Sequence, residues 1–389
     1  MADYSTVPQR TSIANKSIAS LIRYFVLIPL LLPQGLGSFI PGYKTVTTLW
    51  AMLALYFVLL DITFRVCHGE LSLNIPAGIV VYFLMAISVT ALSSKGVASG
   101  LQELLFFPAI SVYLLSLSED ELREYAVACA RVLTVLFLLQ LLVPSSLFAG
   151  RLHMTMLGHV QVFSQYGLLS ITLACFLYLK KWVTPSFAFL FLALSIACMV
   201  TVDADSAHYA LFVFVVVLFL LKICPILLKL DLRIVVIFFI AFSMLVVILT
   251  IHRQSPLMGT DFDWTFSGRL FVWESADALF RHSPLFGYGV ENSVITTFWS
   301  AGMSYAHNQV MQCLIDGGIV LLLAMVWMLC SIAGQVNMIL DASFRKVAIS
   351  ALCALLFVMV FDSFTPYSYV FIMLAFITRE GMLSRKGRK

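Results

Sequence analysis

Residues 232–251 read LRIVVIFFIAFSMLVVILTI, twenty positions with a single charged side chain, Arg233, near the start. A helix of about 20 such residues spans the roughly 30 Å hydrocarbon core of a bilayer. Comparable apolar runs recur along the whole chain. They are continuous and about twice as long as the roughly 10-residue alternating segments of a membrane β-barrel. Composition agrees: 61% of residues are apolar and 11% charged, against about 25% charged in soluble globular domains. The expectation is an all-α polytopic membrane protein, a single integral membrane domain over residues 1–389.

At about 20 residues per span, twelve spans fall near 20–40, 44–62, 74–94, 99–117, 125–146, 158–179, 185–202, 207–222, 232–251, 306–335, 347–363 and 366–379. With the N-terminus inside, the outer side keeps Lys44, Lys95, Arg151, Arg253, Arg269 and Arg281, and the inner side holds the remaining eighteen of the 24 basic residues. That asymmetry predicts both termini in the cytoplasm. The polar first sixteen residues and the absence of a small-residue cleavage pattern argue against a cleavable leader. The eight cysteines fall almost entirely within apolar runs and read as small core residues, without a disulfide framework or a cysteine-based metal site. The basic tail lacks interleaved aromatics, so no nucleic-acid partner is expected. Ser118-Glu119-Asp120-Glu121 reads as a helix start, with its acids complementing the N-terminal dipole.

Just after the 232–251 run the chain turns polar, and residues 252–306 are predicted to form a long loop outside the membrane with a short amphipathic helix. Ser267 reads as the cap of that helix, which should run to about His282. Arg269, Trp273, Ala276 and Phe280 then share one face, with Trp273 expected at lipid-headgroup depth. Ser283-Pro284-Leu285-Phe286-Gly287-Tyr288-Gly289 reads as a turn, and His307-Asn308 stands where the chain re-enters the membrane.

Six of the seven histidines fall at or near the outer side: His153, His159, His208, His252, His282 and His307. Four of the six outward cations are arginine, whose planar fork binds phosphate oxygens in pairs. Convergent arginines above a membrane suit a diphosphate, and a neutral histidine at a helix start can accept a proton from an attacking hydroxyl. Arg151, His159, Gln161 and Gln165 read as lining a cavity open to the outside, and His159, Gln161 and Gln165 read equally, taken singly, as interhelical hydrogen-bonding groups. Asp203, Asp205 and His208 could ligate a cation, but their spacing matches no metal motif and a solvated turn is the simpler reading.

Gly268-Arg269 followed by Trp273, the Ser283–Gly289 segment, and His307-Asn308 leading into Gly317-Gly318-Ile319 resemble the O-antigen ligase and O-antigen polymerase superfamily, which includes capsular and exopolysaccharide polymerases. The long loop between the ninth and tenth spans is similar too. The resemblance implies a glycosyltransferase C-like, metal-independent enzyme without a cofactor, in the cytoplasmic membrane with its active site facing outward. Its partners would be an undecaprenyl-diphosphate-linked glycan, an acceptor glycan, the bilayer and a chain-length regulator. Arg269 would then stabilise the diphosphate leaving group and His307 would orient or deprotonate the acceptor. Arg151, Arg253, Arg281, His159, Gln165, His208, Trp273, Tyr288 and Asn308 complete the expected substrate-binding set. Arg151 is similar to an arginine that relatives carry in the corresponding loop. His208 stands where many relatives have an arginine after serine, the local sequence being Ser206-Ala207-His208. A polymerase is preferred to a ligase because enzymes matched to many repeat units should vary widely in sequence. The rival from another class, a lipid-linked-oligosaccharide flippase or secondary transporter, should show an internal repeat and ionisable groups at mid-membrane. No repeat is visible, and most spans have uncharged middles apart from Arg131 and Asp316.

Overall fold

The computed structural model describes residues 10–69, 75–93, 102–143, 145–148, 153–252, 263–297, 301–303 and 305–386, with side chains left aside for 10–20, 102–103, 145–146, 263–267, 301 and 386. Thirteen α-helices are found among them. Helices α1 to α5 are Arg10–Leu31, Tyr43–Cys67, Ala77–Ala91, Phe107–Ser116 and Glu119–Leu142. Helices α6 to α9 are Val162–Leu179, Pro185–Thr201, Asp205–Ile223 and Leu232–Ile251. Helices α10 to α13 are Asp263–His282, Gln309–Asn337, Ala342–Val358 and Ser368–Lys386. Six of these, α2, α5, α6, α8, α9 and α11, are long and apolar enough to cross a membrane, and shorter apolar helices include Leu21–Leu31, Ala77–Ala91, Leu104–Ser116 and Pro185–Thr201. The protein is a mostly helical, multi-pass membrane protein.

Several local expectations hold. Helix α9 covers the run quoted at the outset. Ser118 caps α5 in a capping box: its hydroxyl accepts the Glu121 N–H while the Glu121 carboxylate accepts the Ser118 N–H at 2.9 Å. Others need correction. Helix α10 begins at Asp263, so Ser267 lies inside it rather than capping it, although the end at His282 stands. Among the described residues a small antiparallel pair, β1 (Ile295–Thr296) with β2 (Ala301–Met303), stands beside the helices.

Helix α11 is the centre of the bundle. It packs along α3, α9 and α13, and α3 is its most extensive neighbour. Eight residues in, it breaks: Gly317 (φ −144°, ψ 15°) and Gly318 (φ 64°, ψ −159°) leave helical geometry. The break removes the ordinary partners of the Ile315 and Asp316 carbonyls and of the Ile319 and Val320 amides. In hydrocarbon such groups must be satisfied internally. The Pro284–Gly289 segment does so. Tyr288 and Gly289 donate to the Ile315 and Asp316 carbonyls at 2.9 and 2.7 Å, and the Pro284 and Leu285 carbonyls accept from Ile319 and Val320 at 2.8 and 3.4 Å. Two glycines make this approach possible. A Cβ on Gly318 would collide with the Leu285 carbonyl, and one on Gly287 would stand 2.6 Å from the Asp316 carbonyl carbon.

The docked segment is also sewn to α3, with Val290 N–H donating to Thr90 Oγ1 and Asn292 Nδ2 to Ser93 Oγ, both at 3.0 Å. Helix α10, immediately before it, rests on α9 and the start of α11 through Val272, Trp273 and Ala276. Replacing Gly318 with alanine should cost on the order of 2–3 kcal/mol, because its backbone lies in a region open essentially to glycine alone and the new methyl meets backbone. A thermal melt of purified G318A in detergent, compared with G334A on the same helix, should show a clearly larger loss for G318A.

Candidate active site

The break in α11 leaves its first two turns as a separate platform, and the residues around it are held by side chain to backbone hydrogen bonds. Asn308 caps the helix, its Oδ1 accepting from Met311 N–H at 2.9 Å, while its Nδ2 donates to Ser243 Oγ on α9 and to the Val360 carbonyl at 2.8 and 2.9 Å. Gln309 Oε1 accepts from the Phe364 and Thr365 amides at 2.7 and 3.2 Å, fastening the α12–α13 turn to the same helix start. Ala306 is gripped from both sides. Its N–H donates to Gln312 Oε1 at 2.8 Å and its carbonyl accepts from Trp273 Nε1 at 3.0 Å.

His307, between these two clamped residues, adopts φ 50°. A non-glycine residue there stores about 1–3 kcal/mol and persists only when its surroundings over-determine it. The ring meets Tyr305 edge to face at 4.7 Å between centroids, and Nδ1 is buried with no hydrogen-bond partner among the described residues. Burial, then the nearby Arg269 cation, then His159 push the imidazole down to about 3. It is neutral at physiological pH.

Arg269 projects from α10 over the Phe361 ring, 5.8 Å from its centroid. Burial pulls its guanidinium below the usual value while Asp362 and Asp205 oppose that pull, and it remains a cation. Asp362 is 1% exposed and accepts hydrogen bonds from Tyr305 Oη, from Gln165 Nε2 at 3.1 Å and from the Ser363 N–H at 3.0 Å. Burial pushes its carboxyl up to about 6 in spite of those bonds and of Arg269. Tyr305 Oη also accepts the Ser363 N–H at 3.0 Å, and its single proton is shared between Asp362 and the Ser363 carbonyl. One end of the bundle thus gathers a buried carboxylate from the α12–α13 turn, a cation from α10 and a neutral imidazole from the approach to α11, with Gln165 of α6 bonded to the carboxylate.

Of the residues singled out in the sequence, Arg269, His307 and Gln165 come together here, and His159 is close enough for its charge to act on His307. His159 itself lies before α6, its ring 5.9 Å from that of His153, with burial and then His153 lowering its pKa. Asn308 and Trp273 serve the scaffold; Trp273 is fully buried, its indole donating to the Ala306 carbonyl. Tyr288 donates to the Leu279 carbonyl at 3.1 Å and belongs to the docked segment. Arg281 is turned outward and paired with Asp277 at 2.8 Å. His208 meets the Val200 carbonyl at 3.3 Å at the end of α7. Arg151 and Arg253 lie outside the described residues. Asp362, Tyr305 and Asp205 were not singled out as site residues. Among the described residues no cluster of three or more His, Cys, Asp or Glu side chains is placed to hold a metal.

Residues 188–326 match the family described as O-Antigen ligase. Over this segment the chain is similar to that family, which supports the O-antigen ligase and polymerase superfamily. The match runs from α7 to the second half of α11 and includes Arg269, His307 and the docked Ser283–Gly289 segment. Gln165 and Asp362 fall outside it, contributed by α6 and by the turn between α12 and α13. Members of the family are glycosyltransferase-like enzymes. No curated protein matches the chain significantly.

Asp362 yields a pH signature. Its folded value of about 6 lies above the ordinary 3.8, so its contribution to stability is complete below pH 3.8 and is lost as pH rises through about 6. Two units correspond to on the order of 3 kcal/mol. Thermal melts from pH 4 to pH 8 should show D362N gaining on the wild type as pH rises, with the difference smallest near pH 4.

Proposed function

We propose that this protein is a membrane-embedded glycosyltransferase that polymerises undecaprenyl-diphosphate-linked oligosaccharide repeat units into a surface polysaccharide. In this reading it lies in the cytoplasmic membrane with about twelve spans, both termini inside, and the Arg269–His307 end facing outward. The observation that carries the reading is the pairing, within the matched family segment, of a held arginine with a neutral imidazole whose Nδ1 is unpartnered among the described residues. The reaction needs both. The acceptor hydroxyl attacks the anomeric carbon, its proton passes to the His307 imidazole, and the bond from the anomeric carbon to the diphosphate oxygen breaks. Negative charge then develops on the departing diphosphate, where a preorganised guanidinium in a water-poor site is most effective. Arg269 is that guanidinium, with Arg151 and Arg253 as further candidates. Asp362 and Tyr305 form the polar wall behind it. The lipid carrier reaches the site laterally from the bilayer, and no metal takes part.

A second reading, transfer of the finished glycan to a lipid A core acceptor, is favoured by the description of the matched family as a ligase. The two differ in acceptor alone. Purified protein given lipid-linked repeat units in detergent should extend the chain if it is a polymerase; it should act only with core acceptor if it is a ligase. A flippase would do neither, since transport has no meaning without a membrane. In the productive assay R269A should lower turnover about 100-fold or more and H307A by a comparable factor, with protein levels unchanged. Full activity in both variants would overturn the site assignment.

A further inference from the structure

At the opposite end of the bundle from His307, a cavity of about 650 Å³ opens between α1, α2, α4 and α5. Protein interiors are close-packed, with few voids larger than a water molecule, and a space of this size falls in the range of ligand sites. Its lining is divided. Phe57, Leu60 and Phe64, between 40% and 56% exposed on α2, form an apolar mouth on a face that a membrane helix turns to acyl chains. The inner end is polar. Arg65 bonds Asp61 at 2.7 Å and Glu121 at 2.5 Å, and Arg23 pairs with Glu124. Each guanidinium also lies over a tyrosine ring, Arg65 over Tyr113 and Arg23 over Tyr125, both at 5.9 Å.

Two features of that polar end select a ligand. Among the described residues, Arg23 and Arg65 face Asp61, Glu121 and Glu124, and the charge of Arg379 also acts on Glu121. The carboxylates keep 31–50% of their side-chain surface, whereas the arginines keep 17–18%. The more exposed carboxylates therefore welcome an additional cation. The Tyr113 and Tyr125 hydroxyls share one hydrogen bond at 3.0 Å, which leaves one hydroxyl proton to give to an acceptor. Guanidinium N–H groups not used by the carboxylates offer further donors. A group carrying both an ammonium and a phosphate satisfies all of these at once.

We propose that this cavity binds a phospholipid whose headgroup joins a primary ammonium to its phosphodiester. The ammonium lies on Asp61 and Glu121, the phosphate takes the spare tyrosine proton and the Arg23 guanidinium, and the acyl chains leave past Phe57 and Leu60. Bound there, the lipid braces α2, which buries little of its surface against the protein, to α5.

The test uses the full-length protein in nanodiscs containing equal amounts of phosphatidylethanolamine, phosphatidylcholine and phosphatidylglycerol, with native mass spectrometry of the lipids retained after release. Phosphatidylethanolamine should be enriched about tenfold over phosphatidylcholine, whose trimethylated nitrogen cannot donate, a factor corresponding to about one charge-assisted hydrogen bond. D61N should bring that ratio close to one. L60W, which fills the mouth without altering charge, should reduce retention of phosphatidylethanolamine by a similar factor. Preference for phosphatidylglycerol, equal retention of the three lipids, or an unchanged ratio in D61N would overturn the proposal. None of these readouts depends on glycan transfer.

Discussion

Four backbone hydrogen bonds at the break in α11 underlie the placement of everything around the candidate site. A helix opened at Gly317 and Gly318 leaves two carbonyls and two amides without partners, and in hydrocarbon each would cost several kcal/mol. The Pro284–Gly289 segment supplies the missing partners and is thereby drawn down beside α11. Because that segment follows α10 directly, its docking anchors one end of α10, and the burial of Trp273 on Ala306 anchors the middle. Arg269, one turn before Trp273, inherits a defined position from both. The glycines are needed for close approach of two backbones, a structural demand distinct from any flexibility of the loop.

The same economy holds for His307. Its unusual backbone angle is maintained by Ala306 and Asn308, each bonded in two directions, so the strain is borne by the platform and not by the ring. The ring is left with a buried nitrogen that no described residue uses. Trp273 and Gln312 reach the same peptide from different elements, so α10 and the first turns of α11 cannot shift independently of the imidazole. Asp362 has the opposite character: several donors already serve its carboxylate, and burial still favours the proton. Its place beside Arg269 tempers the field of the cation without neutralising it.

What local sequence could show of the site followed from residue type and spacing. Arg269 and Trp273 lie four apart on an amphipathic segment, and His307-Asn308 stands at the start of a long apolar run; both are local signals, and both lie within the matched family segment. Asp362 could be read only as part of a polar turn, because its partners Tyr305 and Gln165 are 57 and 197 residues away. Tyr305 had no local mark at all. Trp273 was expected at the lipid interface because an aromatic on an amphipathic helix ordinarily sits there; its indole instead finds a carbonyl 33 residues on. The early start of α10 and the short hairpin escaped notice because neither carries enough apolar periodicity to stand out.

The sequence by itself determined that this is a helical membrane protein, because continuous apolar runs of about 20 residues fit a membrane helix and not the short alternating strands of a barrel, and it marked where polar chemistry gathers. It also carried the motifs of the superfamily, since these are contiguous. Only the tertiary structure showed which motif residues are tied into the scaffold by hydrogen bonds. Asn308, Tyr288 and Trp273 hold the scaffold, whereas Arg269 and His307 are presented by it. The reason is that hydrogen-bond partners distant in sequence leave no trace in local composition. The Ser283–Gly289 motif, which reads locally as a surface turn, owes its form to a broken helix that begins twenty residues later.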